Sequence, residues 1–167
     1  MTLDRLLHNA ITLDAALSGG DLLRRVLEPR EDLIMSYQRQ QLFEGKGSDG
    51  QDLRPYYTED LAPGGYFKTK AQAEAYKVRK LNMRYPYQAH DRNPEAPNLF
   101  INGKFHSEIG LYLTSSVIAI GPDTPYASEI VQKYGLERFG LTQEHWEAVM
   151  GEALPDIMQS VKETIYA

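Results

Sequence analysis

The apolar positions at the start of the chain recur at helical spacing. In residues 3–17 they fall at every third or fourth place, which predicts an amphipathic helix. Ser18-Gly19-Gly20 breaks the pattern, and Asp21 can cap a second, short helix. Pro29 suits the first turn of a third helix, which ends near Phe43. One side of this third helix carries Leu33, Ile34, Tyr37, Gln41 and Leu42.

The middle of the chain is more polar and less regular. Residues 45–53 are rich in turn formers, and Ser48-Asp49-Gly50 can close a turn with side-chain hydrogen bonds. A further helix is predicted from Thr69 or Lys70 to about Met83, because this stretch consists mostly of good helix formers. Residues 90–98 read as a polar loop. We therefore predict an exposed arm or insertion over residues 66–98.

A change to strict alternation predicts a β-hairpin near residues 104–121. Phe105, Ile109, Leu111 and Leu113 alternate with more polar neighbours, as in a strand with one buried face. Ser115-Ser116 would form the turn. Residues 117–120 are apolar enough to predict a partner strand that is covered on both faces.

Two helices are predicted after the hairpin. Thr124 would cap a short helix that Pro125 starts and Gly135 ends, the last helical residue being Tyr134. Thr142 would cap the C-terminal helix, in which Pro155 predicts a kink or a split near Ala153. The pattern as a whole predicts one α+β domain over residues 1–167. Its small antiparallel sheet would pack against the N-terminal and C-terminal helices.

Composition narrows the functional classes. The chain has 167 residues, a formal net charge of −5 and no cysteine. Disulfides and thiolate chemistry are therefore excluded, and a general nucleic-acid coat is disfavoured because it needs clustered basic residues. Six basic residues between Lys68 and Arg84 form a local exception, either a solvated helix face or a nucleic-acid contact. We find neither a secretory leader nor a stretch long enough to span a membrane.

The sequence contains only weak candidates for a catalytic motif. His106 and Glu108 are predicted to share one face of the first strand, where a general acid/base pair could be written for a small hydrolase. A simple polar strand face explains the same two residues. The chain has no HExxH, no phosphate-binding loop and no nucleophile elbow. The sequence therefore predicts no enzyme, and no catalytic, cofactor-binding or metal-binding residue.

Several separated segments of the chain follow a common pattern of short motifs. Asn102 to Ile109 is similar to a "TG-x-[LF]-x-x-S-[IF]" segment, and a "V-x-I-G-x-x-x-P-Y-A" pattern followed by a helix and a glycine comes after it. An "FGL[ST]" segment leads into the last helix, and an upstream "QL-x-x-G-x-x-x-D-G-x-x-x-x-x-Y" stretch precedes them all. The matching positions are Gly45, Gly50, Tyr56, Gly103, Phe105, Ile109, Gly121, Pro125, Tyr126, Ala127, Gly135, Phe139, Gly140 and Leu141.

The family that these segments resemble is the virion-morphogenesis and tail-completion proteins, here of the kind found in phages and prophages of Bacteroides-like bacteria. The chain departs from the pattern at Asn102, where the family has threonine, and in the arm at 66–98. The resemblance implies a structural, non-enzymatic protein of the virion that is assembled in the host cytoplasm. Copies would form a ring, expected to be a hexamer, at the head–tail neck or the head-proximal end of the tail. They would contact other neck or tail proteins and, transiently, genomic DNA in the lumen, with no membrane involved. The alternative is a small non-enzymatic protein-binding module.

Overall fold

The computed structural model describes residues 11, 20–54, 67, 69–83, 93, 95–100, 102–114, 117–125, 127–135 and 138–166. Over these residues the chain forms helices and one small antiparallel sheet, so the predicted α+β class is confirmed. The elements are α1 (Asp21–Leu27), α2 (Glu31–Phe43), α3 (Lys70–Leu81), α4 (Lys104–Ser107), β1 (Ile109–Leu113), β2 (Ile118–Pro122), α5 (Ala127–Tyr134) and α6 (Gln143–Tyr166).

The two helices α1 and α2 follow each other through a 3-10 turn, Glu28–Arg30, that contains Pro29. The end of α2 at Phe43 confirms the prediction. Its buried side is wider than the predicted stripe, because Met35 and Gln38 are buried there as well. The helix predicted over 3–17 lies outside the described residues, apart from Ile11, which is helical and exposed.

The first predicted strand is wrong at its start. Residues Lys104–Ser107 form the helical turn α4, which follows Gly103, and β1 begins only at Ile109. The side chain of Asn102 accepts a hydrogen bond from the Lys104 N–H at 3.1 Å and so supports the turn. Phe105 and Ile109 are four residues apart, a spacing that suits one side of a helical turn as well as one side of a strand. Both side chains are buried, although only Ile109 belongs to the sheet.

The hairpin itself is confirmed, with Leu111 opposite Ile120 and Gly110 opposite Gly121. Coverage of the second strand on both faces is wrong, because Val117 is 53% and Ile118 is 38% exposed. Among the described residues the sheet has only these two strands, and residues 117–119 are exposed. An apolar run alone does not tell whether a second layer exists.

The helix predicted from Pro125 begins two residues later, at Ala127. The Ala127 N–H donates to the carbonyl oxygen of Thr124 at 3.0 Å. The buried Thr124 hydroxyl has no hydrogen-bond partner in the described part of the chain, so the predicted side-chain cap is absent there. At the other end Gly135 has a φ of 86° and its N–H donates to Val131, as expected for a C-terminal glycine.

The C-terminal helix α6 begins as predicted, since the Thr142 hydroxyl accepts a hydrogen bond from the His145 N–H at 3.4 Å. The predicted split is wrong, because α6 continues through Pro155 to Tyr166. Proline removes the donor for the carbonyl four residues earlier, here that of Gly151. Both Gly151 and Pro155 are exposed, so water can satisfy that carbonyl.

The main core joins α2 and β1 to β2, which precedes α5, and to residues 139–141, which follow it. Its fully buried members include Leu27, Ile34, Leu42 and Val149. A smaller cluster joins α1 to α6. Arg30 supports this second contact by donating to the Glu152 carbonyl at 2.8 Å and to the Asp156 carboxylate at 2.5 Å. The core therefore fixes α6 against both N-terminal helices.

Part of the predicted arm packs on this body. The Lys77 ammonium on α3 contacts the Glu95 carboxylate at 2.8 Å, and residues 96–98 are buried. The end of the segment is therefore not exposed, whereas residues 84–92 lie outside the described part of the chain. No helix in the described residues combines the length and apolar character needed to cross a membrane.

Candidate functional site

Two buried glutamines of α2 bind a loop that lies about a hundred residues further along the chain. The Gln41 amide donates to the Gly140 carbonyl oxygen at 2.8 Å and accepts from the Thr142 N–H at 3.0 Å. Gln38 accepts from the Gly140 N–H at 2.8 Å. Backbone groups of the half-buried Gly140 and Thr142 are thereby satisfied by side chains.

The turn that follows α2 binds the same loop from a second side. The Ser48 N–H donates to the Arg138 carbonyl oxygen at 3.2 Å, and Asp49 forms an ion pair with the Arg138 guanidinium. The turn is closed internally, since the Leu53 N–H donates to the Gly45 carbonyl oxygen at 2.6 Å. We call this assembly, consisting of Gln38, Gln41, turn 45–53 and loop 138–142, the clamp.

Glycine is required at two positions of the clamp. At Gly45 the φ is 79°, and an added Cβ would lie 2.8 Å from the Ala96 Cβ and 3.2 Å from the Pro97 oxygen. Gly140 has a φ of 129°, a region that other residues rarely adopt. The clamp therefore depends on glycine both for backbone conformation and for close approach.

Two of the segments that carried the family resemblance meet at the clamp. Gly45 and Gly50 lie in its turn, and Phe139, Gly140 and Leu141 lie in its loop. Phe139 also contacts Phe105, with ring centroids 6.2 Å apart.

The remaining positions are spread over the fold. Ile109 is buried in the core, Gly121 lies on β2, and Gly103 and Gly135 flank helices α4 and α5. Pro125 is exposed and Ala127 is half-buried. Tyr56 and Tyr126 lie outside the described residues.

His106 does not lie on an open strand face, so the predicted pairing with Glu108 on such a face is wrong. Its ring is 1% exposed in α4 and contacts Phe43 and Phe100 edge to face. The Nε2 atom lies 2.9 Å from the Asn98 carbonyl oxygen, and because a carbonyl only accepts, Nε2 carries the hydrogen. Arg39 donates to the backbone oxygen of His106 at 2.8 Å.

The surroundings keep His106 neutral. Burial lowers its pKa to about 4, and the nearby Lys80 and Arg39 charges act in the same direction, against the Asn98 hydrogen bond, which raises it. His145, stacked on Tyr37 at 4.5 Å, also has a pKa lowered by burial. Over the described residues no cluster of acidic residues and histidines could hold a metal ion.

A shallow groove of about 410 Å³ runs between β2 and the clamp loop. It is lined by Ser48, Ile118, Ala119, Ile120, Phe139, Gly140, Leu141 and Trp146. The Asp123 N–H donates to the Glu108 oxygen and the Thr114 N–H donates to the Val117 oxygen, so both of these residue pairs are hydrogen-bonded. Along an antiparallel hairpin, hydrogen-bonded pairs alternate with non-hydrogen-bonded pairs. Ile118 and Ile120 therefore occupy the non-hydrogen-bonded pairs, and their peptide groups point outward from the hairpin.

Beyond the groove an apolar ridge continues along α6. Trp146 lines the groove, and the next three side chains at four-residue spacing are Met150, Leu154 and Met158, which are 37%, 53% and 50% exposed. Residues four apart lie on one face of a helix. We call the surface formed by Ile118, Trp146, Met150, Leu154 and Met158 the outer face.

Comparisons of the chain with protein-family models, curated proteins and solved structures give no match. The arguments about function therefore depend on the clamp, the outer face and the sequence resemblance. Sequence reasoning missed Gln38 and Asn98, both fully buried. The available signal for Gln38 was its position, since it lies four residues after Ile34 and four before Leu42, within the apolar stripe of α2.

Proposed function

We propose that this chain is a structural protein of a tailed-phage virion. Its copies assemble as a ring at the head–tail neck or at the head-proximal end of the tail. In this proposal the protein functions in assembly and does not turn over a substrate. The ring's outer contacts are with neighbouring neck or tail proteins, and its lumen passes the genomic DNA.

The observation that carries this proposal is the outer face. Monomeric soluble proteins rarely expose large contiguous apolar patches, and such patches mark sites of association. Here three large side chains of one helix are each more than a third exposed and adjoin an apolar groove. A subunit of a permanent assembly buries such a surface against its neighbours.

The clamp supports the same proposal. It holds the groove loop and the start of α6 against α2 through hydrogen bonds of two buried side chains. Such networks favour one arrangement over alternatives. A subunit that must fit repeated neighbours needs its contact surface held in a fixed position.

The net charge of −5 fits a ring through which DNA passes. A strongly basic lumen would retain the phosphate backbone, whereas an acidic or neutral lumen lets it move. A ring structure with a strongly basic lumen would contradict this part of the proposal.

The decisive experiment is native mass spectrometry of the purified protein together with negative-stain electron microscopy. We expect a closed ring of about six copies with a central channel, six being the number that the resemblance implies. Neighbouring genes for portal, capsid and tail tube would support the assignment. Deletion of the gene should give DNA-filled heads without functional tails. A protein that remains monomeric at high micromolar concentration would contradict the proposal.

One observation favours a second candidate, a protein-binding module. The outward peptide groups of Ile118 and Ile120 border the apolar groove, and an extended segment of a partner could add to that edge as a third strand. This candidate predicts a stable monomer that forms a one-to-one complex. The mass measurement described above separates the two functions.

A further inference from the structure

A second apolar stripe is exposed on α3, away from the groove. Val78 is 55% and Leu81 is 49% exposed, and the alanines at 71 and 75 are exposed along the same side. The spacing from 71 to 75 to 78 follows one face of a helix. The two alanines leave room for larger side chains of a partner, and Val78 and Leu81 add apolar contact area.

The opposite side of α3 contacts residues 95–100, which follow it in the chain. Lys77 contacts the Glu95 carboxylate at 2.8 Å, and the buried Lys80 lies over the ring of Phe100 at 6.0 Å. Phe100 in turn contacts Phe43 of α2. Ala73 is also buried. The exposed stripe is therefore presented on an anchored helix.

The charges of α3 and α6 are opposite. Two of the four basic residues of α3 do not present their charge to a partner, because Lys77 is paired with Glu74 and Glu95 and Lys80 is buried, whereas α6 has one lysine and five acidic residues. Lys70 and Arg79 are exposed on α3, and Glu144 and Glu147 are exposed beside Trp146 on α6. Opposite potentials favour association and orient it.

We propose that the exposed stripe of α3 in one copy packs against the outer face of the next copy, so that α3 and α6 form the contact between subunits. This inference rests on the proposed ring and names the surfaces that build it. The ridge of Met150, Leu154 and Met158 rises about 12 Å along α6, and the stripe from Ala71 to Leu81 rises about 15 Å along α3, so the two have similar lengths. Large side chains of one helix pack where small side chains of the other leave room.

The two surfaces are different, so each contact joins the α3 stripe of one copy to the outer face of another. In the proposed ring this contact is head-to-tail, and its repetition closes a ring or continues as a filament. A twofold dimer would instead make the contact twice, α3 of each copy on α6 of the other, and would stop at two copies. This difference provides a direct test with two single substitutions.

The variants are Val78→Asp, which places a charge in the α3 stripe, and Leu154→Asp, which places one in the outer face. Leu23→Asp is the matched control, because Leu23 is 37% exposed on α1 and belongs to neither surface. All three are exposed helix positions, so circular dichroism should show similar helical content. Native mass spectrometry then measures the assembly of each variant alone and of the mixtures.

We expect each surface variant alone to be monomeric and the Leu23→Asp control to assemble like the unmodified chain. Mixing Val78→Asp with Leu154→Asp should give a one-to-one dimer and nothing larger, since only one intact pair of surfaces remains. A charge exchange gives a second measurement. Arg79→Glu and Glu147→Arg should each raise the dissociation constant at least about tenfold, and their combination should recover most of the loss.

Other outcomes would overturn the inference, each in a recognisable way. Rings that persist in both surface variants would remove the α3–α6 contact and leave the proposed function standing. Dimers formed by Val78→Asp alone would indicate an outer face that pairs with itself. A third outcome is that the unmodified chain is monomeric and that, of the variants, only Leu154→Asp lowers the melting temperature. The outer face would then be covered by a segment of the same chain, and both proposals would be contradicted. A one-to-one dimer of the mixed variants, together with an unmodified chain that stops at a twofold dimer, would keep the α3–α6 contact and would contradict the proposed function alone.

Discussion

The clamp and the outer face meet at the loop 138–142, yet they place polar and apolar groups in opposite ways. In the clamp the side chains of Gln38 and Gln41 are fully buried, and the amide oxygen of each accepts a hydrogen bond from the backbone of the loop. On the outer face the apolar side chains of Met150 and Leu154 are exposed. A buried hydrogen-bonded amide favours one conformation of the chain. An exposed apolar side chain can still contribute free energy of burial when another surface covers it.

This difference indicates a division of tasks between the two sides of one loop. The inner side holds the loop in place in the folded chain, and the outer side is the surface that we propose for contact with a neighbour. Substitutions in the clamp should therefore lower the free energy of unfolding, and those of its variants that stay folded should still assemble. Substitutions on the outer face should change assembly and leave the stability of the monomer nearly unchanged.

The largest effect is expected for Gln41→Leu. Leucine has a similar volume but leaves the Gly140 carbonyl and the Thr142 N–H without their partners, so we expect a loss of about 4 kcal/mol in the free energy of unfolding. Urea denaturation followed by circular dichroism measures it. Gln40→Leu is the matched control. Gln40 is only half-buried and bonds to Glu44 one turn away, and its loss should be below about 1 kcal/mol. Equal losses in the two variants would mean that the clamp does not hold the loop.

The sequence predicted the elements of both regions better than their contacts. Local signals such as Thr142 before α6 and Gly135 after α5 act within one turn of a helix, and both are confirmed. The pairing of Gln41 with Gly140 joins residues about a hundred positions apart, and no local pattern encodes it. From the sequence alone, a glutamine on a helix is assigned to the surface, because the segment that buries it is not known.

The errors have a similar cause. Phe105 and Ile109 fit a strand and a helical turn equally well, and the local hydrogen bond from the Asn102 side chain favours the turn. Val117 and Ile118 are apolar enough for a covered strand, but coverage depends on another layer of the fold. Pro155 should have interrupted α6, yet its position on the exposed side lets water bind the carbonyl that loses its donor.

A second prediction concerns the buried histidine on the inner side of the molecule. The pKa of His106 is lowered from 6.5 to about 4, so the unfolded chain binds a proton below pH 6.5 that the folded chain binds only near pH 4. Stability is therefore lost as the pH falls through this window, by about 3 kcal/mol between pH 7 and pH 4. His106→Gln does not titrate, and glutamine can still donate to the Asn98 carbonyl.

The measurement is the difference between the unmodified chain and His106→Gln in the free energy of unfolding, taken at both pH values. Because His145 remains in both proteins, its own lowered pKa cancels in the comparison. Parallel pH profiles would show that His106 is accessible to protons in the folded chain. That result would contradict a closed interior beside the clamp.

The smallest effect compares two glycines of the clamp turn that share a backbone conformation and differ in their surroundings. Gly45 and Gly50 have φ values of 79° and 73°, so alanine introduces similar backbone strain at both, about 1 kcal/mol. At Gly50 an added Cβ meets nothing within 4 Å, whereas at Gly45 it lies 2.8 Å from the Ala96 Cβ. We expect Gly45→Ala to cost about 2 kcal/mol more than Gly50→Ala in urea denaturation, in the range of overpacking in a core. If the two alanine variants are equally stable, residues 96–98 do not pack tightly on the turn.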